Sequence, residues 1–209
     1  MKTYKKQVIL SVLATLLPML AGVLLWGALP EEVATHFTFD GTPDSWSSRA
    51  FVVFAMPGFL AAVDLLCLVF TLHDPKRENV GRKMLGLIFW MIPLIGGFTM
   101  ALTYAYNLGF RVNMAFAVNL LLGLVFLVIG NYLGKTHQNY TVGVKLPWTL
   151  NSRENWNRTH RAASRYFVAG GLILLVNAFV LSLALMLLTV LLCGLGPVLY
   201  SFALYKKGI

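Results

Sequence analysis

The residues best suited to chemistry lie in one polar segment, residues 131–161, which apolar runs flank on both sides. His160 titrates close enough to neutral pH to act as a general acid or base. Around it the sequence shows no neighbouring nucleophile, no carboxylate pair and no cluster with metal-ligand spacing. The segment therefore predicts a protein that is not an enzyme, with no catalytic residue, no metal and no cofactor.

Two interpretations of this motif segment, residues 131–161, stay open. One is an interfacial anchor, in which tryptophans and basic residues meet anionic lipid. The other is a docking surface or small-ligand pocket, which we favour because anchoring alone needs few Asn, Thr or His residues. The candidate binding residues are Asn131, Asn139, Lys145, Pro147, Trp148, Thr149, Trp156, Thr159, His160 and Arg161.

The local sequence predicts a shaped loop followed by a helix. Glycines and a proline punctuate residues 134–150, which is typical of a loop. Asn151 and Glu154 have the spacing of a capping box and predict that a helix begins there. On that helix Trp156 and His160 share a face, together with Thr159 and Ala163 at three- and four-residue spacing.

The elements around the segment are membrane helices. Hydrophobic residues make up 58% of the chain and charged residues 12%, far from the balance of soluble domains. Apolar runs of about 20 residues predict helices that cross a bilayer, rather than the shorter alternating strands of a barrel. The last two spans share one oily stretch, residues 163–205, with a tight turn near Ser182. The six predicted spans are 7–28, 51–72, 84–106, 112–133, 163–183 and 185–205.

Charge predicts the orientation of these spans. All of the 17 Lys and Arg residues except Arg49 and Arg111 fall on one side of the predicted membrane. The positive-inside rule places that side in the cytoplasm, with both termini and the motif segment. The predicted protein is thus a multi-pass membrane protein with both termini in the cytoplasm; the family resemblance described below implies that the membrane is the bacterial cytoplasmic membrane. Because the positive charge is spread over separate juxtamembrane segments, direct binding of nucleic acid is not expected.

The predicted exterior loop, residues 29–50, has its own structural signals. Residues 35–39 alternate as a short strand does, and Asp40-Gly41 is a good tight-turn pair. Its net charge is −3. The loop is either a cap that meets an extracellular ligand or simply a folded loop, and a metal site at its lone histidine is not predicted. The candidate residues are His36, Phe37, Gly41, Pro43 and Asp44.

One carboxyl group lies within a predicted span. Asp64 is in the second span, where an ionised side chain is costly, so it should face other helices. Asn119 and Asn177 are its candidate partners. A structural hydrogen bond and a functional role remain equally open. We divide the chain into a two-helix unit, residues 1–72, and a four-helix unit, residues 73–209.

At this point the chain resembles a known family. The motif segment resembles the hallmark of the SdpI family in Gly130-Asn131-Tyr132, in the stretch from Val142 to Leu150, and in Trp156 and Thr159-His160-Arg161. Lys145 stands where the family commonly has Arg. The exterior loop looks like the domain of unknown function at the N-terminus of many members, through Leu29-Pro30, His36-Phe37 and Gly41-Thr42-Pro43-Asp44.

The resemblance implies an all-α polytopic membrane bundle with an immunity or sensor function. Its partners would be the lipid bilayer, a secreted toxic peptide outside and a transcriptional repressor held at the membrane inside. The alternative is a transporter or lipid-handling protein, in which Asp64 and proline-kinked spans form a path. A membrane enzyme that uses His160 is a third, weaker possibility.

The charge count yields a prediction about topology. A cysteine introduced at Ser47 should react with a membrane-impermeant thiol reagent applied outside intact cells. A cysteine at Ser152 should react only after the cytoplasmic side is opened. The opposite labelling pattern would overturn the predicted orientation.

Overall fold

The computed structural model describes residues 4–209. Six helices in this range are long and apolar enough to cross a membrane. The chain is therefore a multi-pass helical membrane protein, as predicted. The helices are α1 (Lys5–Leu24), α2 (Met56–Leu72, preceded by a π-helical turn at Phe51–Ala55), α3 (Arg82–Asn107), α4 (Met114–Leu133), the short α5 (Pro147–Asn151), α6 (Arg153–Val180) and α7 (Leu183–Lys206).

The chain forms two compact units. The first combines residues 1–72 with 86–115, and the second combines residues 73–85 with 116–209. The helix α3 begins in the second unit and continues in the first. Each unit has its own buried side chains and is described separately.

The first unit contains an antiparallel hairpin, β1 (Glu32–Phe37) and β2 (Pro43–Ser48). The predicted strand over 35–39 exists but begins earlier, and Asp40-Gly41 does form the turn, with Gly41 at φ 87°. The second strand was not predicted, because Pro, Asp and Ser have poor strand propensity. It forms through pairing with β1.

The core of the first unit lies below the hairpin. Its buried side chains are Leu29, Val33, Val52, Val53, Met100 and Tyr104. A Cβ at Gly22 would lie 2.5 Å from the Tyr104 hydroxyl and 2.8 Å from Val53. The absence of a side chain at this position lets α1 approach α3 closely, as small residues do between membrane helices.

In the second unit, α4 and α6 meet through glycines. A Cβ at Gly171 would lie 2.8 Å from the carbonyl oxygen of Gly123, and a Cβ at Gly130 would lie 2.8 Å from the backbone nitrogen of Val168. The backbones are therefore in direct van der Waals contact. This close approach also lets the Ser164 hydroxyl donate to the Gly130 carbonyl at 2.5 Å.

The predicted turn between the last two spans is confirmed. Leu181 adopts a left-handed conformation at φ 52°, and α7 begins directly after Ser182. The Asn177 side chain stabilises the turn, since its Oδ1 accepts a bond from the Ser182 N–H at 2.7 Å.

Two local predictions around the motif segment were wrong. Residues 147–151 form the helical turn α5 rather than loop, since a proline at the first helical position favours a helix start. The cap of α6 is Ser152, whose hydroxyl accepts from the Asn155 N–H at 3.1 Å, and not Asn151. The exposed Asn151 is thus a better labelling position than Ser152.

Candidate functional site

The motif segment is organised around His160, which is 1% exposed. Its Nε2 atom accepts a hydrogen bond from the Val144 N–H at 3.0 Å, and its Nδ1 atom donates to the Trp156 carbonyl at 2.8 Å. One nitrogen accepts and the other donates, so the imidazole is neutral, with its proton on Nδ1. Both ring nitrogens are occupied, and His160 serves to join the loop to α6.

The loop backbone lies directly on this imidazole. Gly143 has φ 118°, and a Cβ there would be 2.1 Å from the His160 Nε2 atom. One face of the imidazole stacks on the Trp156 ring, with 3.9 Å between the ring centroids. The Trp156 indole also donates to the Thr136 carbonyl at 2.9 Å. The imidazole therefore has an indole on one face and the Gly143 backbone at its Nε2 edge.

Other predicted binding residues also serve the loop itself. Asn139 is fully buried, and its Oδ1 atom accepts from the backbone N–H groups of Thr141 and Val142 at 3.0 and 2.7 Å. Thr149 is fully buried, and its hydroxyl bonds the Val144 carbonyl at 2.8 Å and accepts from the Leu146 N–H at 2.9 Å.

Trp148 of α5 faces α7, whereas Thr159 bonds within α6. The Trp148 indole donates to the Ser201 hydroxyl at 3.1 Å and stacks on Tyr205 at 5.5 Å. The Thr159 hydroxyl donates to the Asn155 Oδ1 atom at 3.0 Å. The Trp148 contacts hold α5 against α7. A recess of about 340 Å³ opens beside them and is lined in part by Pro147 and Trp148.

The candidate residues thus divide by exposure. Asn139, Thr149, Trp156, Thr159 and His160 are buried, whereas Asn131, Lys145, Pro147 and Arg161 are exposed. The Lys145 ammonium group donates to the Thr141 carbonyl at 3.0 Å but stays in solvent. A binding partner could reach only the exposed set and the half-buried Trp148.

Sequence reasoning missed the contribution of the connection between α2 and α3. Asp74 is 7% exposed, and its carboxylate accepts from the Tyr140 N–H and from the Thr141 hydroxyl, both at 2.9 Å. Asn79 donates its side-chain amide to the Gln138 carbonyl at 2.7 Å. In the sequence, Asp74 lies between the end of a helix and Pro75. That pattern indicates a turn and does not indicate bonds to Tyr140 or Thr141.

The hairpin is fastened to the helices below it. The Asn107 side chain bonds both backbone groups of Ala34, at 2.8 and 3.1 Å. The Arg49 guanidinium donates to the carbonyls of Trp26 and Leu29 at 2.5 and 3.0 Å. These bonds give the hairpin a fixed base.

The outer part of the hairpin carries the predicted exterior residues. His36 Nδ1 and Asp44 Oδ1 lie 2.5 Å apart in an exposed pair. Phe37 pairs with Pro43 across the strands and packs edge-on against Tyr106, with 4.8 Å between the ring centroids. Gly41 lies close to Ala115, since an added Cβ would be 3.4 Å from the Ala115 backbone nitrogen.

The tip of the hairpin holds an ionised carboxylate. Hydrogen bonds from the Thr38 hydroxyl, and then from the hydroxyl and N–H of Thr42, lower the pKa of Asp40 from 3.8 to about 2. Asp40 is therefore charged at neutral pH and belongs to the turn.

Comparison with known proteins finds one family match that begins in the motif segment and another in the N-terminal part of the chain. Residues 135–201 match the SdpI/YfhL protein family, and residues 13–61 match the domain of unknown function DUF1648. The resemblance to the SdpI family is confirmed. The chain is 25% identical to Immunity protein SdpI of Bacillus subtilis (strain 168) over 97% of both chains. No solved structure matches it.

The SdpI family match begins in the loop that follows α4 and ends in α7. It therefore includes His160 with both of its hydrogen-bond partners, and also the Trp148–Ser201 bond. The DUF1648 match includes the second part of α1 from residue 13, the hairpin and the start of α2. Asp74 lies outside both matches.

The predicted partners of Asp64 were wrong. Asn177 donates instead to Asn119 at 2.9 Å, and both asparagines are buried. Asp64 is fully buried against α1, where its Oδ2 atom lies 2.6 Å from the Ser11 hydroxyl and 3.3 Å from the Thr15 hydroxyl.

The hydrogen atoms available at this contact determine the state of Asp64. Pro93 has no N–H, so it cannot make the usual helical bond to the carbonyl of Phe89. The Ser11 hydroxyl lies 2.7 Å from that carbonyl and has one hydrogen to donate. With that hydrogen used, the Asp64 oxygen can bond Ser11 only by donating, which requires a protonated carboxyl group. Its Oδ1 atom is buried without a hydrogen-bond partner in residues 4–209, which a neutral carboxyl tolerates better than an ionised one.

The contact between Gly143 and His160 predicts a large effect of a small substitution. Gly143→Ala should lower the free energy of unfolding by about 2 kcal/mol or more, because it combines left-handed strain with overlap of a buried ring. Thermal unfolding in detergent measures the change. The control is Gly194→Ala, where nothing lies within 4 Å of the added methyl group and the change should stay within about 1 kcal/mol. Equal unfolding temperatures for the two variants would contradict this arrangement.

The hydrogen count at Asp64 predicts a neutral acid. The infrared spectrum of the purified protein at neutral pH should contain the C=O band of a protonated carboxylic acid, and Asp64→Asn should remove it. Since an amide N–H can replace the acid proton toward Ser11, the variant should lose only about 1 kcal/mol of stability. A wild-type spectrum that shows no protonated acid would refute the assignment.

Proposed function

We propose that this protein is an SdpI-type immunity protein, which protects its cell against a secreted toxic peptide. The observation that carries the proposal is similarity to Immunity protein SdpI over 97% of both chains. Because the similarity extends along the chain, it includes the hairpin, the motif segment and the spanning helices together. The six apolar helices support action at the bacterial cell membrane.

In this proposal the hairpin is the surface that meets the peptide. Its base is held by Asn107 and Arg49, so it presents its outer residues without prior folding. Glu31, Glu32 and Asp44 are exposed, and Trp46 is 52% exposed. An exposed indole beside several carboxylates suits a cationic peptide with apolar side chains, since charge steers the encounter and the indole supplies contact area.

The motif segment is the proposed surface for an inner partner. Its buried residues give the loop one shape, in which Lys145 is exposed, and Asn131 is exposed at the end of α4. Such a preorganised surface could hold a transcriptional repressor at the membrane at low entropic cost. The orientation required is the one that the positive-inside rule predicts.

The immunity proposal is tested by deleting the gene and challenging the strain with secreted toxic peptides. The deletion strain should become sensitive to at least one peptide, and the gene supplied in trans should restore growth. Unchanged resistance to every peptide in the panel would overturn the proposal.

If the hairpin meets the peptide, the double variant Glu31→Gln with Glu32→Gln should protect the cell less well. These side chains are exposed and make no hydrogen bond in the described residues, so the change removes charge alone. The peptide concentration that halves growth should fall about tenfold, because electrostatic attraction is weakened. Added salt should reduce the difference between wild type and variant.

The control for that experiment is Glu78→Gln, which makes the same type of substitution, with loss of one charge instead of two, in an exposed residue between α2 and α3. It should leave protection unchanged. Membrane abundance of each variant is measured by immunoblotting. Full protection by the double variant at normal abundance would exclude the hairpin charge from recognition, while the immunity proposal itself would still depend on the deletion strain.

A further inference from the structure

A basic cleft lies between α6 and α7, in the second unit. Arg158, Arg161 and Arg165 line one wall at three- and four-residue spacing on α6, and Ala162, Tyr166 and Tyr200 form the rest of the lining. The cleft has a volume of about 410 Å³. This size and composition match a small anionic group rather than an apolar ligand.

The arginines of the cleft have capacity to bind. Arg158 forms a pair with Glu154 at 2.5 Å, in which both side chains are largely in solvent. Arg161 and Arg165 have no hydrogen bond or ion pair within residues 4–209. Two unpaired guanidinium groups one helical turn apart present forks of N–H donors, which match the oxygen atoms of a phosphate.

The shape of the cleft comes from close packing of the two helices. A Cβ at Gly196 of α7 would lie 3.2 Å from the ring of Tyr166, and the Cys193 thiol donates to the Tyr166 carbonyl at 3.3 Å. Ser201 is buried against Trp148, so the neighbouring Tyr200 points away from that contact. The cleft is therefore part of the folded α6–α7 pair.

Below the arginines, the same face of α6 becomes apolar and remains uncovered. Following Arg165 at helical spacing, Leu172 is 54% exposed and Val176 is 58% exposed. On α7, Leu199 next to Tyr200 is 65% exposed. A ligand with a phosphate head and acyl chains would place its head in the cleft and its chains on this surface. A soluble phosphate would use only the upper part.

We propose that this cleft binds the phosphodiester headgroup of an anionic phospholipid. Arg161 and Arg165 bind the phosphate, the two tyrosines flank the headgroup at interfacial depth, and the leucine and valine face receives the acyl chains. The predicted orientation places this end of α6 at the cytoplasmic leaflet, where anionic lipids attract basic residues. The site is independent of toxin recognition by the hairpin.

The test uses the purified full-length protein in neutral detergent, with dioleoyl phosphatidylglycerol as the probe. Increasing amounts of this lipid should raise the thermal unfolding temperature of the wild type, and phosphatidylcholine should not. In the double variant Arg161→Gln with Arg165→Gln, the lipid concentration for half-maximal stabilisation should rise about 30-fold, because two juxtamembrane charges are lost. Native mass spectrometry should show a matching loss of retained phosphatidylglycerol.

The control is Arg153→Gln, which removes an exposed arginine of the same helix outside the cleft and should leave the half-maximal concentration unchanged within about threefold. Should the double Gln variant not fold, Arg161→Lys with Arg165→Lys replaces it. Lysine keeps the charge but loses the fork, so binding should still weaken severalfold. Stabilisation equal to wild type in the substituted protein would overturn the proposal. Equal stabilisation by phosphatidylcholine, or by inorganic phosphate without lipid, would also overturn it.

Discussion

The structure depends on one constraint, which is that polar groups excluded from water must find their partners within the protein. The clearest case is the imidazole of His160, which satisfies a loop N–H on one side and a helix carbonyl on the other. Without that bridge, the Val144 N–H would lose its acceptor, and the loop would lose a direct hydrogen bond to α6. Gly143 is needed because the bridge brings the backbone onto the ring.

The same constraint explains the polar residues inside the helices. Pro93 removes a donor from α3, and the Ser11 hydroxyl satisfies the carbonyl that is left. The protonated Asp64 carboxyl group in turn donates a hydrogen bond to the Ser11 hydroxyl oxygen. In the second unit, Asn177 bonds both Asn119 and the Ser182 N–H, so one side chain connects α6 to α4 and also fixes the turn into α7. These residues form short chains of hydrogen bonds in which each member depends on the next.

The sequence predicts those parts of the fold that depend on local composition. Run length alone locates the six spanning helices, and helical spacing alone predicts that Trp156, Thr159 and His160 share a face. It does not predict the partner of Asp64, since Ser11 and Thr15 are common in membrane helices and do not stand out from their neighbours. Nor does it predict the bonds of Asp74, because they form with residues more than 60 positions away. The sequence does not predict the strand β2 for a related reason: its residues favour turns, and they form a strand only by pairing with β1.

The helix α6 is continuous from the motif segment to the turn at Leu181. With 28 residues it is about 42 Å long, and it contains no proline. Trp156 and His160 attach the first half of α6 to the loop, and Asn177 attaches its other end to α4 and to the turn before α7. Because α6 is anchored near both ends and has no break between them, its two ends keep a fixed spacing and cannot rearrange independently.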